Sequence, residues 1–392
     1  MVDPDPDPGS ITWRRYPIIT GMARSVWWGT GIGVGLSAVS TGIGWFYSSV
    51  LLDPTQRPVF PERVLAVDGA SVTLAPTRLA AQQGVWGLRW IDGLAVMGSP
   101  TAITADAVVR PLLGGDLPRA GTAAVLDTGP YDPDPSARGL SFETVDVATP
   151  LGPSPAWFVP AAEGGAGDTW VVMVHGRGGS RREALRVLPA LHGLGFPVLV
   201  PTYRNDVEAP SSPDGHYHLG DTEWLDVEAA VRVALDRGAR RIVLFGWSMG
   251  GAITAAFLDR SAHASTVGAM IWDAPLVDWR ATLRRQARNR RLPPGLIPFA
   301  TTITSRRIGI DFDRFDLRRR PPAVRPPTLL VHSTEDTAVP VEPSRALAAV
   351  APSLGWPMEY LEVPGVEHTG AWNADPDAYE RAVVRFLARV LR

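Results

Sequence analysis

The residues Gly246-Trp247-Ser248-Met249-Gly250 form a G-x-S-x-G frame. It is entered from the apolar run Ile242-Val243-Leu244-Phe245 and leads into Gly251-Ala252-Ile253-Thr254-Ala255-Ala256-Phe257-Leu258. A buried strand passing into a helix through so short a turn admits only glycine on either side of the serine, and it leaves the hydroxyl at the strand tip. Such a hydroxyl attacks a carbonyl carbon when a base takes its proton and N–H donors meet the charge that develops on the carbonyl oxygen. The plain alternative is a glycine-rich turn with an idle serine. A base, an acid and an anion site elsewhere in the chain decide between the two.

The elements able to position such groups begin near Leu140. Residues 143–160 read as a strand pair about Pro150-Leu151-Gly152-Pro153. A buried run at 170–174 is followed by a helix pattern at 181–194, a strand at 196–200, a helix at 222–237 and the strand that enters the serine frame. Residues 268–272, 328–331 and 358–362 read as further strands, and 376–392 as a closing helix. Apolar runs alternating with helix-length segments indicate an α/β class, a mostly parallel sheet with helices on both faces.

With that alternation around it, the serine frame resembles the α/β-hydrolase superfamily over residues 140–392, and within it the bacterial serine-esterase and dienelactone-hydrolase-like proteins. In that superfamily serine, acid and histidine follow in this chain order. The resemblance implies that Asp336 is the acid, in Val331-His332-Ser333-Thr334-Glu335-Asp336-Thr337-Ala338-Val339-Pro340, where the family pattern is roughly H-G-x-x-D-x-x-V-P. Ser333 stands where glycine is usual, and Glu335 is an alternative acid. His368, in Val363-Pro364-Gly365-Val366-Glu367-His368-Thr369-Gly370, is the implied base, oriented by the acid. His332 reads as structural. His192 falls on a helix face, and His216 and His218 in a polar loop.

The implied oxyanion donors are the backbone N–H groups of Met249 and Arg177, the latter because His175-Gly176-Arg177-Gly178-Gly179-Ser180 is similar to the H-G-x-G-G form. The Arg177 guanidinium is expected in solvent, or against an anionic substrate group. Tyr203-Arg204-Asn205-Asp206 is expected to border the pocket, and Asp221 or Thr222 to cap the following helix.

Ester cleavage through an acyl-enzyme on Ser248 is the activity this resemblance implies, on a small acyl ester and with no cofactor or metal. Lysophospholipase, thioesterase and serine peptidase are alternatives on the same fold. A non-catalytic, membrane-tethered binding protein is the alternative of a different class.

Composition narrows the rest. The 392 residues suffice for one large domain and a smaller one. A net charge of −2 gives no reason to expect nucleic acid. All 38 basic residues are arginine, and the absence of cysteine excludes disulfides, thiolate metal sites and cysteine nucleophiles.

Residues 1–25 read as an acidic, Pro-rich tail and a basic segment. Residues 26–52 carry no charge and are flanked by Trp27, Trp28, Trp45, Phe46 and Tyr47. The stretch between the inner aromatics spans about 26 Å as a helix, close to a hydrocarbon core. The expectation is a single-pass membrane anchor, with Arg14, Arg15 and Arg24 on the cytoplasmic side and the remaining chain outside. A cleaved signal peptide and a soluble Gly-rich helix are the alternatives. Residues 55–135 read as a small β-rich domain, with Asp68-Gly69 and Asp92-Gly93 as hairpin turns and 131–135 as a linker.

Residues 279–327 are expected to be a lid. It holds Arg284, Arg285, Arg288, Arg290, Arg291, Arg306, Arg307, Arg314, Arg318, Arg319 and Arg320 among apolar residues. A solvated helical cap is the plain reading, and contact with anionic lipid headgroups or substrates the functional one.

Overall fold

The computed structural model describes residues 31–55, 59–129, 132–162, 164–165 and 167–392. The tail and basic segment expected over 1–25, residues 26–30 of the expected anchor and Tyr131 of the expected linker lie outside them. Met1–Val39 form one unit, described only by the first turns of a helix, and Ser40–Arg392 form a second, compact unit.

Helix α1 (Gly31–Leu52) is 22 residues long. Among the described residues no helix is long and apolar enough to cross a membrane. Glycine, serine and threonine recur along α1 and dilute its apolar content. From Ser40 onward the helix belongs to the compact unit, where Ser48 and Leu52 are buried. The anchor expected over 26–52 is corrected to that extent: the uncharged residues at its end pack against protein.

Seven antiparallel strands follow: β1 (Glu62–Val67), β2 (Ser71–Leu74), β3 (Trp86–Trp90), β4 (Gly93–Met97), β5 (Ala102–Ile103), β6 (Val108–Gly115) and β7 (Ala123–Asp127). Their order is β2-β1-β7-β3-β4-β6-β5, and a further β2–β6 pairing closes six of them into a barrel. Closure removes sheet edges that would otherwise recruit other strands. Asp68 turns β1 into β2 by accepting from the amides of Ala70 and Ser71, and β3 pairs with β4 across Trp90 and Gly93. Val64, Val72, Leu74, Trp86, Leu88 and Met97 fill the interior.

The larger sheet comprises β8 (Glu143–Thr149), β9 (Gly152–Val159), β10 (Thr169–Val174), β11 (Val198–Pro201), β12 (Arg241–Trp247), β13 (Val267–Asp273), β14 (Thr328–Ser333) and β15 (Met358–Val363). Its order is β8-β9-β11-β10-β12-β13-β14-β15. β9 runs antiparallel to both neighbours, and the strands from β11 to β15 are parallel.

The helices are α2 (Leu188–Gly193), α3 (Trp224–Asp236), α4 (Met249–Arg260), α5 (Trp279–Asn289), α6 (Ile297–Ile308), α7 (Glu342–Val350), α8 (Ala371–Ala374) and α9 (Pro376–Val390). The alternation of strand side chains sends Val172, Leu244 and Met270 to the face covered by α3 and α4. It sends Val171, Val243 and Ile271 to the face covered by α2 and α9. Both faces are therefore apolar, and the strands read as continuous apolar runs.

The start of α3 differs from expectation. Neither Asp221 nor Thr222 caps it: Asp221 pairs with Arg260, while the buried Glu223 carboxylate accepts from the amides of His218, Gly220 and Thr222. A carboxylate with two oxygens gathers three loop donors, which a short capping side chain does not reach.

Candidate active site

β12 delivers Ser248 at the centre of the larger sheet. The residue has φ +51° and ψ −115°, a conformation costly for a side chain bearing a Cβ. Its surroundings impose it. The Ser248 amide donates to Asp273 O at 3.0 Å, and Ser248 O accepts from Gly251 N and Leu276 N at 3.0 and 3.1 Å. Gly250 must be glycine, because a Cβ there would lie 2.2 Å from Val174 O on the neighbouring strand.

Ser248 Oγ lies 2.7 Å from His368 Nε2, and His368 Nδ1 lies 2.6 Å from Asp336 Oδ2. An ionised carboxylate only accepts, so Nδ1 carries the imidazole proton and Nε2 is free to receive the serine's. Asp336 is buried and also accepts from the amides of Ala338 and Val339 at 2.8 and 2.7 Å. Burial pushes this carboxyl up, but His368 and His332 outweigh burial and hold it well below the ordinary carboxylate range. For His368, burial disfavours the charged ring, yet the Asp336 charge and hydrogen bond prevail and raise its pKa above 6.5.

The loop after β10 passes close to the serine: a Cβ on Gly176 would sit 3.1 Å from Ser248 Cβ. Met249 opens α4, so its N–H is one of the unpaired donors of the first helical turn. The Arg177 N–H has no backbone acceptor among the described residues. Met249 thus follows the serine directly, and the Gly176–Arg177 turn passes beside it. The Arg177 side chain departs from expectation: it is half-buried in the cavity wall and held by the end of α1. Nε donates to Leu51 O and Nη2 to Val50 O, each at 3.0 Å, satisfying carbonyls at the C-terminus of α1 where a cation is favoured.

Residues 203–206 do not border the cavity. They brace the loop from behind: Asp206 accepts from His175 Nε2 at 2.9 Å, and the Tyr203 hydroxyl donates to Gly176 O at 3.0 Å. His175 Nδ1 faces Gly176 O as well, so both ring nitrogens meet acceptors, and Asp206 overcomes burial to raise the ring's pKa. Glu335 lies on the surface against Arg78 and is not the acid that meets His368. His332 is wholly buried beside Asp336, consistent with a structural role. His216 meets Arg307, and His218 meets Asp214.

Sequence reasoning overlooked Glu183 and Arg186. Glu183 Oε2 accepts from Gly176 N at 2.7 Å and Oε1 from Arg186 Nη2 at 2.9 Å, while Arg186 Nη1 donates to Thr369 O at 2.7 Å. The pair joins the loop beside the serine to the loop of the histidine, and it holds Thr369 at φ +53°. The only signal was a charged pair inside a helix pattern otherwise built to be buried.

Above Ser248 and His368 opens a cavity of about 260 Å³. Its walls come from Tyr47, Val50 and Leu51 of α1, Leu283 and Ala287 of α5, and Ile297 and Ala300 of α6. Of the eleven lid arginines named above, five form ion pairs: Arg285 with Glu342, Arg314 with Asp259, Arg318 with Asp278 and Asp316, Arg319 with Asp316, and Arg320 with Asp311. Arg307 binds the hydroxyls of Ser48 and Ser49 on α1. Arg318, Arg319 and Arg320 therefore tie the lid to itself, while Arg285, Arg307 and Arg314 tie it to α7, α1 and α4. Arg284, Arg288, Arg290, Arg291 and Arg306 form no ion pair among the described residues. Among those residues, no group of three or more metal-ligating side chains occurs.

Residues 212–392 match the prolyl oligopeptidase family, and residues 63–127 match a domain of unknown function (DUF8805). The chain is 28% identical over 257 residues to the uncharacterized protein Rv2307c of Mycobacterium tuberculosis, covering 64% of this chain and 80% of that protein. It is 26% identical over 266 residues to the uncharacterized protein YfhR of Escherichia coli K12, covering 67% and 84%. Among solved structures, the Pyrococcus furiosus esterase Pf2001 superposes with a TM-score of 0.53 at 20% identity, covering 67% of this chain and 97% of that one. Thermogutta terrifontis esterase 2, phosphoramylated by tabun, superposes with a TM-score of 0.50 at 18% identity, covering 67% and 97%. At these identities the structural likeness speaks to fold.

Proposed function

We propose that this chain, whose residues 140–392 have an α/β-hydrolase fold, cleaves carboxylic esters through an acyl-enzyme on Ser248. The observation that carries the reading is the hydrogen-bonded line Asp336–His368–Ser248 opening on an apolar cavity.

Ser248 Oγ attacks the acyl carbon as its proton passes to His368 Nε2, and Asp336 stabilises the imidazolium that results. The carbonyl oxygen becomes an oxyanion held by the amides of Met249 and Arg177. Collapse of this adduct expels the alcohol, which takes the proton from His368, and leaves the acyl group on Ser248. Water then gives a proton to His368 and attacks the acyl carbon. The second adduct releases the carboxylic acid as the proton returns to Ser248. The sequence requires no metal or cofactor.

Cavity size speaks to the acyl group. An apolar cavity of roughly 150 Å³ takes benzene, with six carbons. By proportion, 260 Å³ takes about ten carbons, the scale of a medium-chain acyl group. The match of residues 212–392 to the prolyl oligopeptidase family supports a second reading, amide cleavage by the same residues. The unpaired lid arginines support contact with anionic headgroups or substrates, which rising salt would weaken.

A panel of p-nitrophenyl esters graded in chain length, run beside chromogenic peptide amides, tests the reading. Turnover should peak at acyl chains of about six to ten carbons. Turnover of amides alone would favour the peptidase, and turnover of neither would remove the enzymatic reading.

A further inference from the structure

The barrel contributes no residue to the cavity wall. Its contacts reach the catalytic unit behind the site, at the two loops that carry the acid and the base. Arg78 Nη1 donates to Glu335 Oε2 at 3.0 Å and Nη2 to Glu335 O at 3.1 Å, one residue before Asp336. The same guanidinium pairs with Glu367, one residue before His368. Glu367 in turn accepts from the Thr337 amide at 3.0 Å and its hydroxyl at 2.9 Å. One barrel side chain thus spans both loops, and the loops are tied to each other beneath it.

The base loop is also packed into the barrel. Val366 is buried within the barrel's own apolar core. The Glu367 amide donates to Gln82 Oε1 at 3.2 Å. Farther along, Val85 N donates to Asn373 O at 2.9 Å, and Asn373 Nδ2 donates to Val85 O at 2.7 Å and Thr128 O at 3.0 Å. The approach at Gly84, with φ +96°, is so close that a Cβ would lie 1.9 Å from Asn373 O. Within the barrel, the buried Arg110 donates to the carbonyls of Ala80, Gln82 and Gly84, which stiffens the segment that makes these contacts.

We propose that the barrel is a positioning module for the acid and base loops, with Arg78 and Gln82 as positioning residues that keep Asp336 and His368 in register with Ser248. The proposal rests on the acyl-enzyme reading above. Both catalytic loops leave sheet strands for the surface, where backbone is mobile unless tied. A site of this kind works only when its groups stay within about 0.5 Å of productive geometry, and a displacement of about 1 Å costs on the order of a hundred-fold in rate. A tether spanning both loops addresses their mutual placement, which neither strand fixes alone.

The test uses the full chain carrying Arg78→Ala, Gln82→Leu, both together, or Arg78→Lys. Three quantities are measured: the rate at which a fluorophosphonate labels Ser248, kcat and KM for a short-chain ester, and Tm. Arg78 is half-exposed, so Arg78→Ala should open no cavity in the core and keep the fold. Arg78→Ala and Gln82→Leu should each slow labelling and lower kcat about ten-fold with KM within two-fold and Tm little changed. The double variant should be slower still, and Arg78→Lys should recover part of the rate. Wild-type rates in both single variants would overturn the proposal, as would losses that merely track a fall in folded fraction. Failure of the wild-type protein to label is a different result: it removes the acyl-enzyme reading, and the proposal with it.

Discussion

His332 Nε2 lies 3.2 Å from Asp336 Oδ2, the oxygen that also faces His368 Nδ1. The carboxylate and the nearby Val339 O both accept, so Nε2 of His332 carries the proton and Nδ1 accepts from the Ser344 hydroxyl at 2.8 Å. Asp336 is thereby held by a second, buried imidazole that does not face the cavity. His332→Ala should cost about 1.5–3 kcal/mol of stability, the range for a hydrogen bond to a charged group. It should also lower kcat/KM, and His332→Gln, which restores a donor, should recover part of both. Denaturant melts and ester kinetics on the two variants check this.

The pH profile follows from His368. Its raised pKa keeps the ring protonated, and so unable to act as base, to a higher pH than a free imidazole. kcat/KM should therefore fall as pH drops through a value above 6.5. The buried Asp273 charge helps to raise that pKa, so Asp273→Asn should move the acid limb to lower pH. A pH–rate series on both proteins measures the displacement.

Asp273 also carries a stability prediction. Burial, opposed by Arg186 and by the Tyr379 hydrogen bond, pushes its carboxyl up from 3.8 to about 6. The folded state then binds more protons than the unfolded state between those values, so the group lowers stability as pH rises through the window. Above pH 6 the cost amounts to at most about 3 kcal/mol. Asp273→Asn should relieve part of it at pH 8 and none below pH 4. Tm measured across that range decides the matter.

Two consequences attach to the cavity wall. Ala287→Leu should shorten the preferred acyl chain while sparing two-carbon esters, since it fills space in the cavity wall on α5. Arg177→Ala removes the clamp on the α1 carbonyls but leaves the backbone N–H in place. It should raise KM for long-chain esters more than for short ones. Chain-length profiles of the two variants report both effects.

The sequence made the sheet legible because its strands are apolar on both faces and alternate with helices, a pattern few folds share. The site was legible through Ser248, Asp336 and His368 because each sits at a strand end with a local signature. The parts that escaped depend on contacts between distant segments. Nothing near residue 78 announces that Arg78 reaches Glu335 and Glu367, and nothing in 26–52 announces that its end forms a cavity wall. Uncharged, aromatic-flanked residues suit a bilayer and a protein groove alike, so composition did not separate the two.

Covalent capture reports directly whether Ser248 is an activated nucleophile. The intact protein is treated with a fluorophosphonate and weighed by mass spectrometry, beside Ser248→Ala. One adduct is expected on the native protein, mapped to the peptide containing Ser248, and none on the variant. No adduct on the native protein, or equal labelling of Ser248→Ala, would contradict an activated Ser248.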